Sequence, residues 1–219
     1  MSAPRVLLVD HFDSFAFLLA EQLARCAAEV RCVRAPVDPE VLARCVAEFE
    51  PALVVLSPGP GHPRAATGTV GWLRREPDVA VFGVCLGLQA LVVACGGEVD
   101  PAPRPVHGKS SRIALTDDPL FDGLPRPLAV ARYHSLVATR LPAALEPIAH
   151  VRDGDRDLVM AVRHRQRPWL GVQFHPESVL TPHGGALCAR ALAAAVARTP
   201  ASETPNALPR EHEHEPELR

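Results

Sequence analysis

The sequence predicts an α/β fold of three layers: a mostly parallel open sheet with helices on both faces and an added antiparallel ribbon. Three observations carry that expectation. Through residue 97, short apolar runs alternate with helix-like segments, the rhythm of βαβ units. The apolar runs show no regular polar alternation, which marks strands covered on both faces. Beyond Gly97 the chain turns to short strands and turn signals, predicting an antiparallel ribbon packed beside the parallel sheet and sharing its core.

Arg5–Val9 reads as the first strand, ending at Asp10. His11-Phe-Asp-Ser carries helix-start chemistry with Asp13 or Ser14 as N-cap. The helix runs over 15–27, where Phe15, Leu18, Leu19, Gln22, Leu23 and Cys26 fall near helical spacing. Val30–Arg34 is a second strand, Pro39–Phe49 a second helix and Leu53–Leu56 a third strand. Ser57-Pro-Gly-Pro-Gly-His-Pro follows. Its prolines fix φ and remove donors, so it is a rigid loop at a strand's carboxyl end, where open α/β sheets bind ligands. Residues 64–78 read as a poorly amphipathic helix. Val79–Val84 is a strand, and the apolar run after Cys85 is a helix stopped by Gly96 and Gly97. Glu98–Asp100, Ile113–Leu115 and Leu128–Arg132 are short strands, with a turn at Asp122-Gly. Ile148–Arg152 and Leu158–Arg163 make a hairpin across Asp153-Gly-Asp. Trp169–Phe174 is the last strand, and Ala186–Ala197 a closing helix. Residues 1–198 form one domain. Residues 199–219 are Pro-rich and acidic without apolar periodicity, predicting a disordered tail.

The chain has 219 residues, 47% hydrophobic and 22% charged, with a net charge of -2. That balance points away from nucleic acid and anionic membranes as partners. No apolar run approaches the roughly 20 residues that span a bilayer. The opening residues lack a leader layout, so a cytoplasmic protein is expected. Six cysteines are scattered without paired metal spacing; apart from Cys85 they are expected to be mostly small buried hydrophobes, with neither disulfides nor a metal site. His212 and His214 stand among tail glutamates with nothing to orient them as ligands, so no metal site is expected there either.

The chemistry centres on 79–97. Strand, Gly83-Val-Cys85-Leu-Gly87, then helix is the context of a nucleophile elbow, whose tight turn has no room for bulky side chains at the glycines. A thiol at a helix N-terminus is favoured as thiolate. It needs a base and an orienter. His175 lies just past a buried strand, Pro176 pushes it into an extended conformation, and Glu177 lies two residues on, on the same side. By themselves these features fit a peptidase or an esterase as well as other thiol chemistry.

In combination, Gly83-Val-Cys-Leu-Gly-Leu-Gln, Ser57-Pro-Gly-Pro-Gly and Gly171-Val-Gln-Phe-His-Pro-Glu-Ser-Val-Leu-Thr resemble the triad-type (class I) glutamine amidotransferases, over roughly residues 5–195. Val106-His-Gly-Lys-Ser-Ser and Arg132-Tyr-His-Ser-Leu-Val look like the glutaminase subunits of the anthranilate synthase and aminodeoxychorismate synthase group. The resemblance implies a flavodoxin-like fold in which Cys85 attacks the side-chain amide of L-glutamine, His175 relays protons and Glu177 orients it. It implies an oxyanion site at Leu86 and the Gly59-Pro60-Gly61 segment, and glutamine contacts from Gln89, Ser135 and Leu136. Ammonia would pass to a chorismate-binding synthase subunit (component I), toward which Val106–Arg112 lies. The product would be anthranilate or aminodeoxychorismate. No cofactor is implied for this subunit; the partner is expected to use Mg2+.

Departures from the family pattern are Leu88 for a histidine, Leu18 for an asparagine, and Asp10-His-Phe-Asp-Ser-Phe for Asp-Asn-Tyr-Asp-Ser-Phe. The opening-motif changes are expected to bear on the partner rather than on thiol chemistry, and they raise a specialised chorismate or isochorismate pathway as an alternative. A free-standing γ-glutamyl hydrolase with the same triad is a further alternative, and a binding module is disfavoured because Cys85, His175 and Glu177 are all present.

Overall fold

The structure, a computed structural model, describes residues 3–26 and 28–198. Its centre is a nine-stranded sheet. In chain order the strands are β1 (Arg5–Asp10), β2 (Glu29–Arg34), β3 (Leu53–Leu56), β4 (Ala80–Val84), β5 (Glu98–Pro101), β6 (Lys109–Leu115), β7 (Leu128–Arg132), β8 (Leu136–Arg140), β9 (Leu145–Asp153), β10 (Arg156–His164) and β11 (Trp169–Val172). The helices are α1 (Ala16–Arg25), α2 (Pro39–Phe49), α3 (Thr67–Leu73), α4 (Leu86–Ala94) and α5 (Gly184–Val196). Across the large sheet the order is β2-β1-β3-β4-β11-β10-β9-β6-β7, and β5 and β8 form a separate pair.

Pairing from β2 to β11 is parallel and from β11 to β7 antiparallel. The expected ribbon therefore extends the sheet edge to edge rather than packing beside it. Strand alternation splits the core into two clusters. Val6, Leu8, Leu53, Val55, Phe82 and Val84 face one way, with Leu19 and Leu23 of α1 and Leu187 and Leu192 of α5. Leu7, Val9, Val54, Leu56 and Val81 face the other, with Leu42 of α2, Trp72 of α3 and Leu88 of α4. The side chains of β1, β3 and β4 thus find helices on both faces, which is why these strands can be apolar throughout.

α2 starts where Asp38 accepts from the Glu40 N–H at 2.8 Å, with Pro39 in its first turn. α1 differs from expectation: Phe15 is its N-cap, and Asp13 instead accepts from the Phe15 N–H in a local turn. The predicted helix over 64–78 is a 3-10 turn at Pro63–Ala65 followed by the short α3. Gly68 there leaves no room for a side chain, since a Cβ would lie 1.6 Å from the Val37 carbonyl oxygen. β2 is an edge strand with mostly exposed side chains, Cys32 among them. Only Cys188, apart from Cys85, is fully buried. The tail expected at 199–219 lies outside the described residues. Among the described residues no helix is long and apolar enough to cross a membrane.

Candidate active site

β4 and β11 run parallel in register, with Gly83 opposite Gly171 and Val84 opposite Val172. Both strands therefore end together, and the chain places Cys85 after one and His175 after the other. The Cys85 N–H continues the ladder, donating to the Val172 carbonyl at 2.8 Å. The backbone then turns sharply: Cys85 has φ 51° and ψ −100°, a conformation that side-chain-bearing residues rarely adopt. The crowding explains the flanking glycines. A Cβ on Gly83 would lie 2.5 Å from the Gly87 carbonyl carbon, and one on Gly87 would lie 2.3 Å from the Leu56 oxygen. α4 follows, buried on all sides, as its uninterrupted apolar sequence requires. The thiol is 7% exposed at the helix start.

His175 is held by its backbone. Its N–H donates to the Ala131 carbonyl at 3.0 Å, and its carbonyl accepts from the Thr181 hydroxyl at 2.7 Å. That hydroxyl accepts in turn from the Ala131 N–H at 2.9 Å. Ring Nδ1 lies 2.6 Å from Glu177 Oε1, and both side chains are buried. Nε2 is buried without a hydrogen bond of normal geometry, and the Cys85 side chain is the neighbour that bears on it. Burial is the largest single influence on this ring and lowers its pKa. Hydrogen bonding and charge from Cys85 and Glu177 together outweigh it and push the pKa up to about 10. The protonated ring is therefore favoured where it lies between Cys85 and Glu177. Phe15 and Tyr133 pack on it edge-on, at 5.3 and 5.0 Å between ring centres.

The proposed oxyanion elements meet at this point in part. Leu86 is the first residue of α4, and first-turn amides have no acceptor within their helix. Gly59 lies against it, since a Cβ there would come within 2.6 Å of Leu86 Cδ2. Pro60 and Leu86 line a small cleft with His11, while Gly61, at φ 81°, stands in open space. Gln89 donates to the Leu136 carbonyl and to Gln173 Oε1, both at 3.2 Å. Gln173 Nε2 in turn reaches Cys85 Sγ at 3.5 Å. Ser135 is exposed, and its carbonyl accepts from the Ala102 N–H at 2.8 Å.

Gln173 escaped the sequence reading. Its signal was the period of two: Gln173, His175 and Glu177 alternate along one extended segment. His134 escaped it too. Its Nε2 accepts from Arg132 Nε at 3.0 Å and its Nδ1–H donates to the Leu136 carbonyl at 3.1 Å. Burial, then the Arg132 charge, hold it neutral with a pKa near 4. The departures also find places. Leu88 is fully buried among apolar side chains, against Gly171. Leu18 lines an outer groove. His11 is buried against Ser57 and Thr69, and burial lowers its pKa to about 4. Among the described residues no cluster of three or more His, Cys, Asp or Glu side chains could hold a metal ion.

Residues 7–195 match the family model described as glutamine amidotransferase class-I. The chain is 50% identical over 186 residues to an anthranilate synthase of Azospirillum brasilense, covering 83% of this chain and 24% of that protein. It is 45% identical over 192 residues to the pyocyanine-specific anthranilate synthase component 2 of Pseudomonas aeruginosa, covering 86% and 92%. It is 43% identical over 193 residues to an aminodeoxychorismate synthase of Streptomyces griseus, covering 84% and 25%. The chain thus spans about a quarter of the two longer relatives and nearly all of the component 2 protein. Among solved structures, a Thermoplasma acidophilum protein described as a GMP synthase subunit has the same fold, with a TM-score of 0.77 at 19% identity, covering 90% of this chain and 96% of that one.

Proposed function

Because this chain belongs to the class-I glutamine amidotransferase family, we propose that it is the glutaminase subunit of a chorismate-aminating synthase. The observation that carries the reading is the Glu177–His175 pair set against Cys85 on a strained elbow. The Cys85 sulfur attacks the glutamine side-chain amide carbon. The resulting oxyanion is received by the Leu86 N–H and the Gly59 segment, where lost donors typically cost about 3 kcal/mol. His175 gives its proton to the departing nitrogen, and ammonia leaves a γ-glutamyl thioester. Water then attacks the thioester, with His175 now accepting the proton, and glutamate is released. Gln89, Ser135 and Leu136 grip the glutamine, and Gln173 steadies the sulfur.

Ammonia released into water would be protonated, so a second protein must cover the site. An exposed apolar surface supports this. Leu18 and Val179, the latter 91% exposed, line a groove of about 520 Å³ with Phe15, Tyr133 and Pro176 beside Glu177. The partner would be a chorismate-binding synthase making anthranilate or aminodeoxychorismate. The Pseudomonas relative and the change at Leu18, which lines the exposed groove, support as a second reading a synthase of specialised metabolism.

The test pairs this chain with candidate synthases and measures aminated product. Cys85→Ser should lose glutamine-dependent amination by about a thousandfold or more. It should keep amination from added ammonium, since the synthase is untouched. A folded serine variant that still used glutamine would rule out the mechanism. A chain that hydrolysed glutamine at full rate alone, and raised no synthase, would instead be a free-standing hydrolase.

A further inference from the structure

A second cleft, of about 420 Å³, opens on the antiparallel half of the sheet. Its charged lining is Arg104, Lys109, Arg112, Arg132 and Arg152 against one carboxylate, Asp153. Arg104 takes Asp153 Oδ1 at 2.5 Å. Arg152 is engaged by Asp157, at 3.3 Å. Lys109 and Arg112 are exposed and add two more positive charges. Arg132 forms the base of the cleft at only 4% exposure. Its Nε is bound to His134, but its Nη2 is buried without a hydrogen bond, with Asp153 Oδ2 3.7 Å away. A buried N–H left without an acceptor costs about 1–3 kcal/mol. The floor of the cleft thus holds a guanidinium nitrogen paired to Asp153 by charge without a hydrogen bond, and the rim carries surplus positive charge. A carboxylate meets the surplus, because its two oxygens can take donors from Lys109 and the exposed Arg112 guanidinium together.

The cleft borders the active-site mouth. The Val106 N–H donates to the His134 carbonyl at 3.1 Å. The ring of His107 packs edge-on against Tyr133 at 5.3 Å, and Tyr133 packs on His175. Any protein placed to receive ammonia at that mouth lies beside this rim. Resting on the function proposed above, we propose that the cleft is a carboxylate-binding site that takes an aspartate or glutamate side chain of the ammonia-receiving synthase.

Lys109→Glu/Arg112→Glu reverses the rim charge without touching the thiol site, and Arg44→Glu/Arg74→Glu on α2 and just past α3 is the control. Association with the synthase is measured by calorimetry between about 50 and about 300 mM NaCl. The wild-type complex should weaken about tenfold over that range, and the rim variant should bind about tenfold more weakly at low salt. The control should match wild type, and all three chains should keep the same Tm. Malonate should compete with the synthase for the wild type and not for the rim variant. Equal affinity and equal salt dependence of wild type and rim variant would overturn the inference while leaving the glutaminase reading intact. So would a control that weakens as much as the rim variant, or malonate binding that leaves association unchanged. A wild-type chain that associates with no synthase would overturn the parent reading, and this inference with it.

Discussion

His11 ties three pieces of chain together at the edge of the catalytic pocket. Its backbone N–H donates to the Ser57 hydroxyl at 2.8 Å, and its Nε2 lies 2.9 Å from the Thr69 hydroxyl. Gly59 is pressed so closely on it that a Cβ there would lie 2.6 Å from His11 Cβ. The ring itself joins Thr69 to the loop at Ser57, whose hydroxyl lies 3.4 Å from Nδ1, while Gly59 rests on His11 Cβ and backbone. His11→Ala removes the ring contacts to Ser57 and Thr69 and loosens that loop on one side, keeping the Cβ and backbone contacts. Glutaminase kcat should fall about tenfold or more with KM within about twofold, because a transition-state contact is loosened rather than a substrate contact. His11→Asn should recover part of the loss by keeping a polar group near Ser57. Unchanged steady-state kinetics in the alanine variant would remove this role. The motif change at residue 11 looks from sequence like a matter for the partner. Its contacts at 57 and 69 exist only in the folded sheet, and nothing in the local pattern points to them. Leu88 is the converse case: it meets only apolar neighbours and Gly171, so an apolar side chain is well accommodated where the family keeps histidine.

The elbow was the most legible element, because its glycines sit where backbone meets backbone. Gly87→Ala would drive a methyl to 2.3 Å from the Leu56 oxygen, with strand backbone on one side and helix on the other. Neither can yield independently, so the variant should lose about 3 kcal/mol or more of stability in urea titration. A variant as stable as wild type would mean that the turn has slack. Elements fixed by distant contacts were less readable. β8 (Leu136–Arg140) has no counterpart among the strands expected from sequence, because its pairing with β5 involves residues far away in the chain. α3 stops at Leu73, well short of the expected helix end at 78, and its contact at Gly68 with the Val37 carbonyl is likewise invisible from a local pattern. The grouping of Cys85, His175 and Glu177, by contrast, is legible because Cys85 and His175 each follow a strand and Glu177 lies two residues past His175.

Across the whole molecule, four buried histidines shape the response to pH; His164 is shifted downward like His11 and His134, by burial first and then by the Arg167 charge. His11 and His134, both lowered to about 4, are neutral in the fold, whereas in the unfolded chain they protonate near pH 6.5. Their contribution is complete above about pH 6.5 and is lost as pH falls toward 4. His175, raised to about 10, works in the opposite sense. Its contribution is complete below about pH 6.5 and is lost as pH climbs toward 10. Thermal melts across this range should show stability falling on both sides of a maximum near neutrality. Cys85→Ala should flatten the alkaline limb by removing a partner of His175, and His11→Asn should flatten the acid limb. Limbs of unchanged slope in those variants would show that other groups govern them. The in-register pairing of β4 with β11 has a consequence of another kind. Cys85 and His175 descend from neighbouring parallel strands, while the cationic cleft and its loops hang from the antiparallel extension. Inheritance can act on the two regions separately. On the function proposed above, substitutions in the outer strands would alter the footing of the synthase while leaving Cys85 and His175 where they are.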